Sequence, residues 1–426
     1  MWPCASDSPP VSLSGGGIFI MNNTNQKRRN FISVLAVYFA ANVIFIMSPA
    51  MNSIATELYP DIAYGTVLLL STISSLFMIP GSLAAGAVLG KQVGFKQMAV
   101  VSLGGTIIAG VLPYFITNFT AVLILRIIVG FCIGLGFPLQ STLALKLFDD
   151  SERPGVLGKA TVAMSAGSII YMLVSGAVCD ISASYVWLVH GILIIPLILV
   201  LIFLKEPEKN ETEQSIQGSA ADSSQNSPGE KLPLMAAFAS AMFMIVFFAF
   251  YPILLNMSAI VDQEGLGTAA VTGIISSLFT IGNAIAGVIF AGVYKAAGRF
   301  TIPVGLVLWA AGTAIFSFGH NLPMIVIGVV VCGIAVQIVW PGTINSFAGY
   351  VPPSKQSMAS ALFVSGMNLG CFLTSFYITG VADLTGNADP RLPCQIGLVI
   401  VIIFAVIWSI AELDHNKKTA STKDAR

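Results

Sequence analysis

Apolar stretches of about 20 residues alternate with short polar breaks along nearly the whole chain, and about 20 apolar residues is what a membrane-crossing helix needs. Such stretches lie near 31–54, 65–90, 97–116, 120–145, 160–179 and 185–204. The alternation then stops at KEPEKNETEQSIQGSAADSSQNSPGEK, residues 205–231, which is rich in Ser, Gln, Glu and Pro and has no aromatic residue. A segment of that composition cannot bury enough apolar surface to fold, and it reads as a flexible linker. Six more apolar stretches follow near 232–257, 268–292, 301–319, 322–347, 357–381 and 394–411. The pattern predicts an all-α integral membrane protein with twelve transmembrane helices in two six-helix bundles, 31–204 and 232–412. Residues 1–30 and 413–426 remain as tails.

Composition agrees with lipid as the solvent. Hydrophobic residues make up 56% of the chain and charged residues 9%, against about 25% charged in soluble proteins. The formal net charge is zero, which argues against a nucleic-acid partner. Six cysteines fall mostly inside apolar runs without paired spacing, so they read as small packing residues and not as a disulfide frame or metal site.

The basic residues orient the spans. With the N-terminus placed in the cytoplasm, eighteen Lys and Arg fall on the inner side, only Arg391 falls outside, and Arg126 lies within a span. Dropping any one span would move about half of them across, so the bias supports twelve crossings and a multi-pass protein of the cytoplasmic membrane with both termini inside. The first twenty residues lack a basic n-region and an apolar h-region, so they are no signal peptide. MNNTNQKRRNF, from Met21, is read as the natural start, and 1–20 as an over-extended gene start.

One pentapeptide occurs twice. ISSLF stands at Ile73–Phe77 and again at Ile275–Phe279, each time in the second span of its half. The likeness continues as MIPGSLAAG in one half and TIGNAIAG in the other. Lys91 and Lys295 are 204 positions apart, as are Gly94 and Gly298; Pro138 and Pro341 are 203 apart, as are Asp180 and Asp383. A nearly constant offset across four landmarks means that the chain is two homologous six-span halves, a plan that puts a binding site between them at the midplane.

These features resemble the major facilitator superfamily over about residues 31–412. The loop between spans 2 and 3 keeps Leu89, Gly94 and Lys96 in register with that family's signature, but Lys91 stands where the family usually has Asp. The second half repeats the departure with Lys295, beside Gly298 and Arg299. RIIVG, Arg126–Gly130, matches the span-4 signature, whereas the antiporter signature of span 5 survives only as GSIIYMLVSG, 167–176, with Tyr171 and Met172 in place of its Gly-Pro. The resemblance implies alternating access by two rocking bundles, with spans 1, 4, 7 and 10 lining the cavity. In relatives the loop Asp helps to shut the cytoplasmic side, so Lys91, Gly94, Lys295, Gly298 and Arg299 become candidate gating residues. Asp149, Asp150 and Glu152 are possible partners for Lys91, and the second half offers no such acids.

Arg126 is the most informative single residue. A charge inside a span costs about 3 kcal/mol or more and normally faces a cavity or a partner, so it reads equally as an anchor for an anionic substrate and as a structural Arg. Asp and Glu all fall in loops or at span ends, which leaves proton coupling unsupported, although Glu57, Asp61, Asp180 and Asp383 lie at the outer edge. His190, early in span 6, reads mainly as a packing residue. The candidate substrate-binding residues are Arg126, Asn42, Tyr171, Tyr251, Gln337 and Trp340. A few amides and aromatics in an apolar cavity suit an amphipathic organic molecule. Asn283 and Asn368, in glycine-rich contexts, read as close-packing sites. Pro49 and Pro80 are expected to interrupt spans 1 and 2, and Gly130, Gly134 and Gly136 precede Pro138; such positions allow bending or close packing.

Secondary transport of a small organic solute is the leading reading, with export ahead of import. An ion-coupled carrier for an organic anion is the alternative, and a non-transporting sensor on the same fold is a third. No P-loop is present to use ATP, the three scattered histidines make no enzyme site, and no ring of charge or carbonyl filter marks a channel. No cofactor or metal is expected, and the partners are the small-molecule substrate and the bilayer, with the protein as a monomer.

Overall fold

A computed structural model describes residues 16–90, 92–149, 151–206, 234–352 and 356–424. The described residues contain twelve helices long and apolar enough to cross a membrane. Spans 1 to 6 are Gln26–Leu58, Tyr64–Val88, Phe95–Phe115, Phe119–Leu147, Gly155–Cys179 and Ala183–Phe203. Spans 7 to 12 are Ala237–Gln263, Ala269–Ala297, Thr301–Phe318, Leu322–Ser346, Met358–Thr385 and Leu392–Ile410. No β-strand occurs among the described residues; one isolated bridge joins Leu89 to Val93. The expected linker lies outside the described residues except for Lys205 and Glu206. The first helix reaches back to Gly16, past Met21, and the last runs on to Asp424. Several helices outrun the apolar stretch that announced them: span 5 belongs to a helix that begins at Arg153, and span 4 keeps Lys146 in its last turn. Long basic side chains reach the headgroup region from a helix end, so the helix can continue where hydropathy falls.

Backbone contact holds each half together. A Cβ at Gly130 would stand 2.2 Å from the Ser74 carbonyl, and one at Gly134 would stand 2.4 Å from that of Met78, so spans 2 and 4 touch main chain to main chain. The second half repeats the device: a Cβ at Gly333 would stand 2.3 Å from the Phe279 carbonyl and one at Gly282 would stand 2.5 Å from that of Val330, joining spans 8 and 10. Lipid tails are as apolar as Leu, so helices associate in a membrane by such close packing rather than by apolar burial. The duplicated ISSLF sits here, its four serines all buried. Pro80 does not interrupt span 2: the helix Leu69–Val88 runs through it. One lost N–H is tolerated where span 4 packs tightly alongside, a Cβ at Gly81 standing 2.3 Å from the Phe131 carbonyl. Pro138 and Pro341 likewise lie inside continuous helices.

The halves meet at the end opposite the chain termini, called the far end. Ser48 donates to the Leu254 carbonyl at 2.8 Å, and the Asn52 amide N–H to Ser258 Oγ at 3.2 Å. Asn52 Nδ2 donates to Asp262 at 2.9 Å, and the Thr72 and Ser375 hydroxyls are 2.7 Å apart. A Cβ at Gly176 would stand 2.4 Å from the Ala269 carbonyl, and one at Gly65 would stand 1.8 Å from Thr379 Oγ1. Those two contacts are one contact made twice, since Gly176 and Thr379 are equivalent, as are Gly65 and Ala269. These inter-half contacts all lie at the far end.

Arg391, the one basic residue that orientation left on the outer side, is 3% exposed. Its guanidinium grips both carboxylate oxygens of Glu264 and donates to the Phe316 and Gly319 carbonyls, each at 2.7 Å. It thereby ties the far ends of spans 7, 9 and 12 together.

Two outcomes follow from this packing. Gly130→Ala should lower stability by about 1–3 kcal/mol through overpacking, seen as a drop in apparent Tm, whereas Gly287→Ala, whose Cβ meets nothing within 4 Å, should leave Tm unchanged. The Arg391 bonds hold the Glu264 carboxyl below its ordinary range. A depressed folded-state pKa contributes stability above the unfolded value of about 4.3, lost as pH falls through the folded-state value. The Tm gap between wild type and Glu264→Gln should hold from pH 7 to about pH 4 and shrink below that.

Candidate functional site

Span 1 is a broken helix. Its α-helix ends at Ala40, a turn follows at Ala41–Asn42, and a 3-10 segment runs from Val43 to Ala50 with Pro49 inside it. A break of this kind frees carbonyl groups, which in a membrane must be satisfied by protein. Span 5 supplies the donors from one face. Tyr171 donates its hydroxyl to the Phe39 carbonyl at 2.9 Å and Ser175 donates to that of Ile46 at 2.5 Å. Asn42 Nδ2 donates to Ser168 Oγ at 2.9 Å. Gly167 admits the approach, because a Cβ there would stand 2.2 Å from the Phe39 carbonyl. Asn42 and Tyr171 thus hold the break of span 1 in place, with Tyr171 fully buried.

Arg126 lies about 10 Å into span 4 from its far end, at 1.5 Å per residue. It is fully buried. Its Nε donates to the Leu70 carbonyl of span 2 at 2.7 Å, and Ser74 of span 2 returns a bond to the Arg126 carbonyl at 2.8 Å. Nη1 lies 3.1 Å from His190 Nε2, and His190 Nδ1 lies 3.1 Å from the Trp187 carbonyl. A guanidinium can only donate, so Nε2 accepts, the proton sits on Nδ1, and the imidazole is neutral. Nη2 is buried without a partner. From the other half, Tyr251 comes near Arg126 and Ser71. It stands at a second break, between the helices Leu234–Phe250 and Pro252–Gln263 that form span 7. Proline at residue 252 cannot supply the N–H that would continue the first helix.

Gln337 and Trp340 sit one turn apart on span 10, both half-buried. Trp340 meets Phe243 edge-on, ring centroids 5.5 Å apart, and Phe363 at 5.0 Å. Gln337 has no hydrogen-bond partner among the described residues, so its amide is unspent. Asn368 bonds a carbonyl of its own helix, Val364, at 3.1 Å, and Asn283 Oδ1 is buried unpaired. The six residues therefore divide into three groups. Arg126 and Tyr251 lie at the far-end seal, Asn42 and Tyr171 at the break of span 1, and Gln337 and Trp340 on an aromatic wall of the second half.

Lys91 lies outside the described residues, as does the side chain of Arg299. Glu152, a possible partner for Lys91, instead pairs with Lys27 at 2.8 Å. Gly94 caps the helix of span 3, where Glu206 accepts from the Phe95 and Lys96 N–H groups; a Cβ at Gly94 would crowd that carboxylate at 2.7 Å. Lys295 lies in the last turn of span 8, and Gly298 ends that helix at φ +54°, a conformation that favours glycine. Sequence reasoning missed the pairing of His190 with Arg126 and the break at Tyr251. Both carried a signal. Arg126 and His190 are two costly groups deep in the same bundle, and Tyr-Pro in mid-span marks a helix restart.

The comparisons with known proteins agree with this architecture. Residues 30–267 and 234–426 each match the family model described as Major Facilitator Superfamily. Among solved structures, the nucleoside transporter NupG superposes with a TM-score of 0.72 at 15% identity, over 91% of this chain and 98% of that one. The human organic anion transporter MFSD10 (TETRAN) gives 0.60 at 15% identity, over 91% and 99%, and the POT family transporter PepTSo gives 0.69 at 10%, over 92% and 98%. Identities this low show the fold alone. None of the curated proteins matches the chain. The family model covers both halves of the duplicated bundle, and the chain belongs to the Major Facilitator Superfamily.

Proposed function

We propose that this secondary transporter carries a small amphipathic organic solute outward across the cytoplasmic membrane, by alternating access of the cleft between its halves. The observation that carries the reading is the far end hydrogen-bonded shut between the halves, with half-buried Trp340 and the unspent Gln337 amide on span 10 as the solute's expected contacts. An apolar wall with few polar groups suits such a solute. The positive-inside bias supports cytoplasmic termini, so that the cleft in this state faces the cytoplasm and can load from it. Gating at the inner loops, by Lys91, Gly94, Lys295, Gly298 and Arg299, remains part of the proposal. A second reading, carriage of an organic anion, is favoured by one observation: Nη2 of the buried Arg126 has no partner. That atom is buried in this state, so an anion would reach it only after the far end opens.

The test is ligand-induced thermal stabilisation of the purified protein with amphipathic, cationic and anionic solutes, on wild type, Trp340→Ala and Arg126→Ala. A solute at 100 times its Kd stabilises by about 2.7 kcal/mol through mass action. Amphipathic solutes should stabilise wild type and Arg126→Ala alike, and Trp340→Ala should bind them about tenfold or more weakly. Stabilisation by anions alone, lost in a folded Arg126→Ala, would move the second reading ahead. Binding without flux in reconstituted vesicles would mean a sensor.

A further inference from the structure

Asp180 and Asp383 are equivalent by the repeat, but the structure uses them differently. Asp180 follows the last turn of span 5, in the first half, and its carboxylate crosses to the second half. Oδ2 accepts from the Thr268 hydroxyl at 2.7 Å and Oδ1 from the Ala270 N–H at 3.2 Å. The helix that begins there is Ala269–Ala297, and its own N-cap, Thr268, makes no side-chain capping bond. The first N–H groups of a helix have no partner within it, and a carboxylate beside them is stabilised by the helix dipole. Asp180 therefore caps a helix of the opposite half. One turn deeper, Gly176 brings span 5 onto the Ala269 main chain. Asp383 is exposed and has no partner among the described residues. Its side of the seal relies on Gly65 against Thr379 and on the Thr72–Ser375 bond.

We propose that Asp180 is a one-sided latch on the far end, and that it biases the empty carrier toward the state open at the near end. The proposal rests on the alternating-access reading. The cap exists only while spans 5 and 8 touch at the far end. Rocking the halves apart there strips Asp180 from Thr268 and Ala270, leaving water to take both sides. Both groups are near solvent, so the bias is modest: loss of an N-cap corresponds to about a fivefold change in the ratio of the two states. The latch stands outside the solute cleft and sets resting populations rather than affinity.

The test is a distance measurement between spin labels in the full chain in lipid nanodiscs. Labels at Phe115→Cys and Leu384→Cys report the far end, one in each half, where the two side chains are 73% and 90% exposed. Cys4 is changed to Ser; the other five cysteines are buried. A second pair, Val162→Cys with Tyr294→Cys, reports the near end. Asp180→Ala should raise the long-distance share at the far end about fivefold while the near-end distance shortens. Asp180→Asn should stay close to wild type, because an Asn amide oxygen still caps. Asp383→Ala should change nothing. A far-end distribution in Asp180→Ala that matches wild type, or an equal shift in Asp383→Ala, overturns the latch and leaves alternating access standing. Far-end lengthening with no near-end change overturns both the latch and the rocking it rests on. Should Asp180→Ala fail to fold, Thr268→Ala removes one bond from the other side; the same direction of shift is expected, and its absence overturns the latch.

Discussion

Lipid offers no hydrogen bonds, and the structure is organised around that fact. Any carbonyl freed inside the hydrocarbon must be met by another part of the chain. Span 1 breaks at Asn42, and span 5 answers with Ser168, Tyr171 and Ser175. Close approach is needed to deliver those bonds, so a glycine stands on the same face. The break, the donors and the glycine depend on one another: a straight span 1 would need no donors, and a bulkier span 5 could not deliver them.

Much of this was legible before any coordinates. Lipid-crossing helices declare themselves through composition and length, and the repeat declared itself through constant offsets. The site was legible only in part. Nothing in the sequence says that Tyr171 spends its hydroxyl on Phe39 or that Trp340 stays half-buried, because burial within a membrane protein is decided by neighbours that are distant in sequence. Pro80 misled for the same reason: proline weakens a helix locally, but the tight pack of span 4 on span 2 carries it through. Arg391 was visible only as the exception to a charge rule, and its meaning, a clamp on Glu264 and two helix-end carbonyls, needed three loops brought together.

Electrostatics divides the halves more than packing does. The glycine contacts between spans 2 and 4 recur between spans 8 and 10. The buried arginines do not recur. Position 329, equivalent to Arg126, is Val, and position 188, equivalent to Arg391, is Leu. Close packing is a shape requirement that both copies must satisfy to fold. A buried charge serves one local purpose, and a single copy is enough.

The far-end seal shows what fusion of the two copies permits. A dimer of identical six-span chains would have to make every interface contact twice, each residue serving in both roles. One continuous chain is free of that demand. Gly176 against Ala269 and Gly65 against Thr379 still occupy equivalent places, yet glycine stands on span 5 in one and on span 2 in the other. Covalent linkage thus turns a symmetric interface into two separately tunable ones, and selection can stiffen one seam while leaving the other to slide.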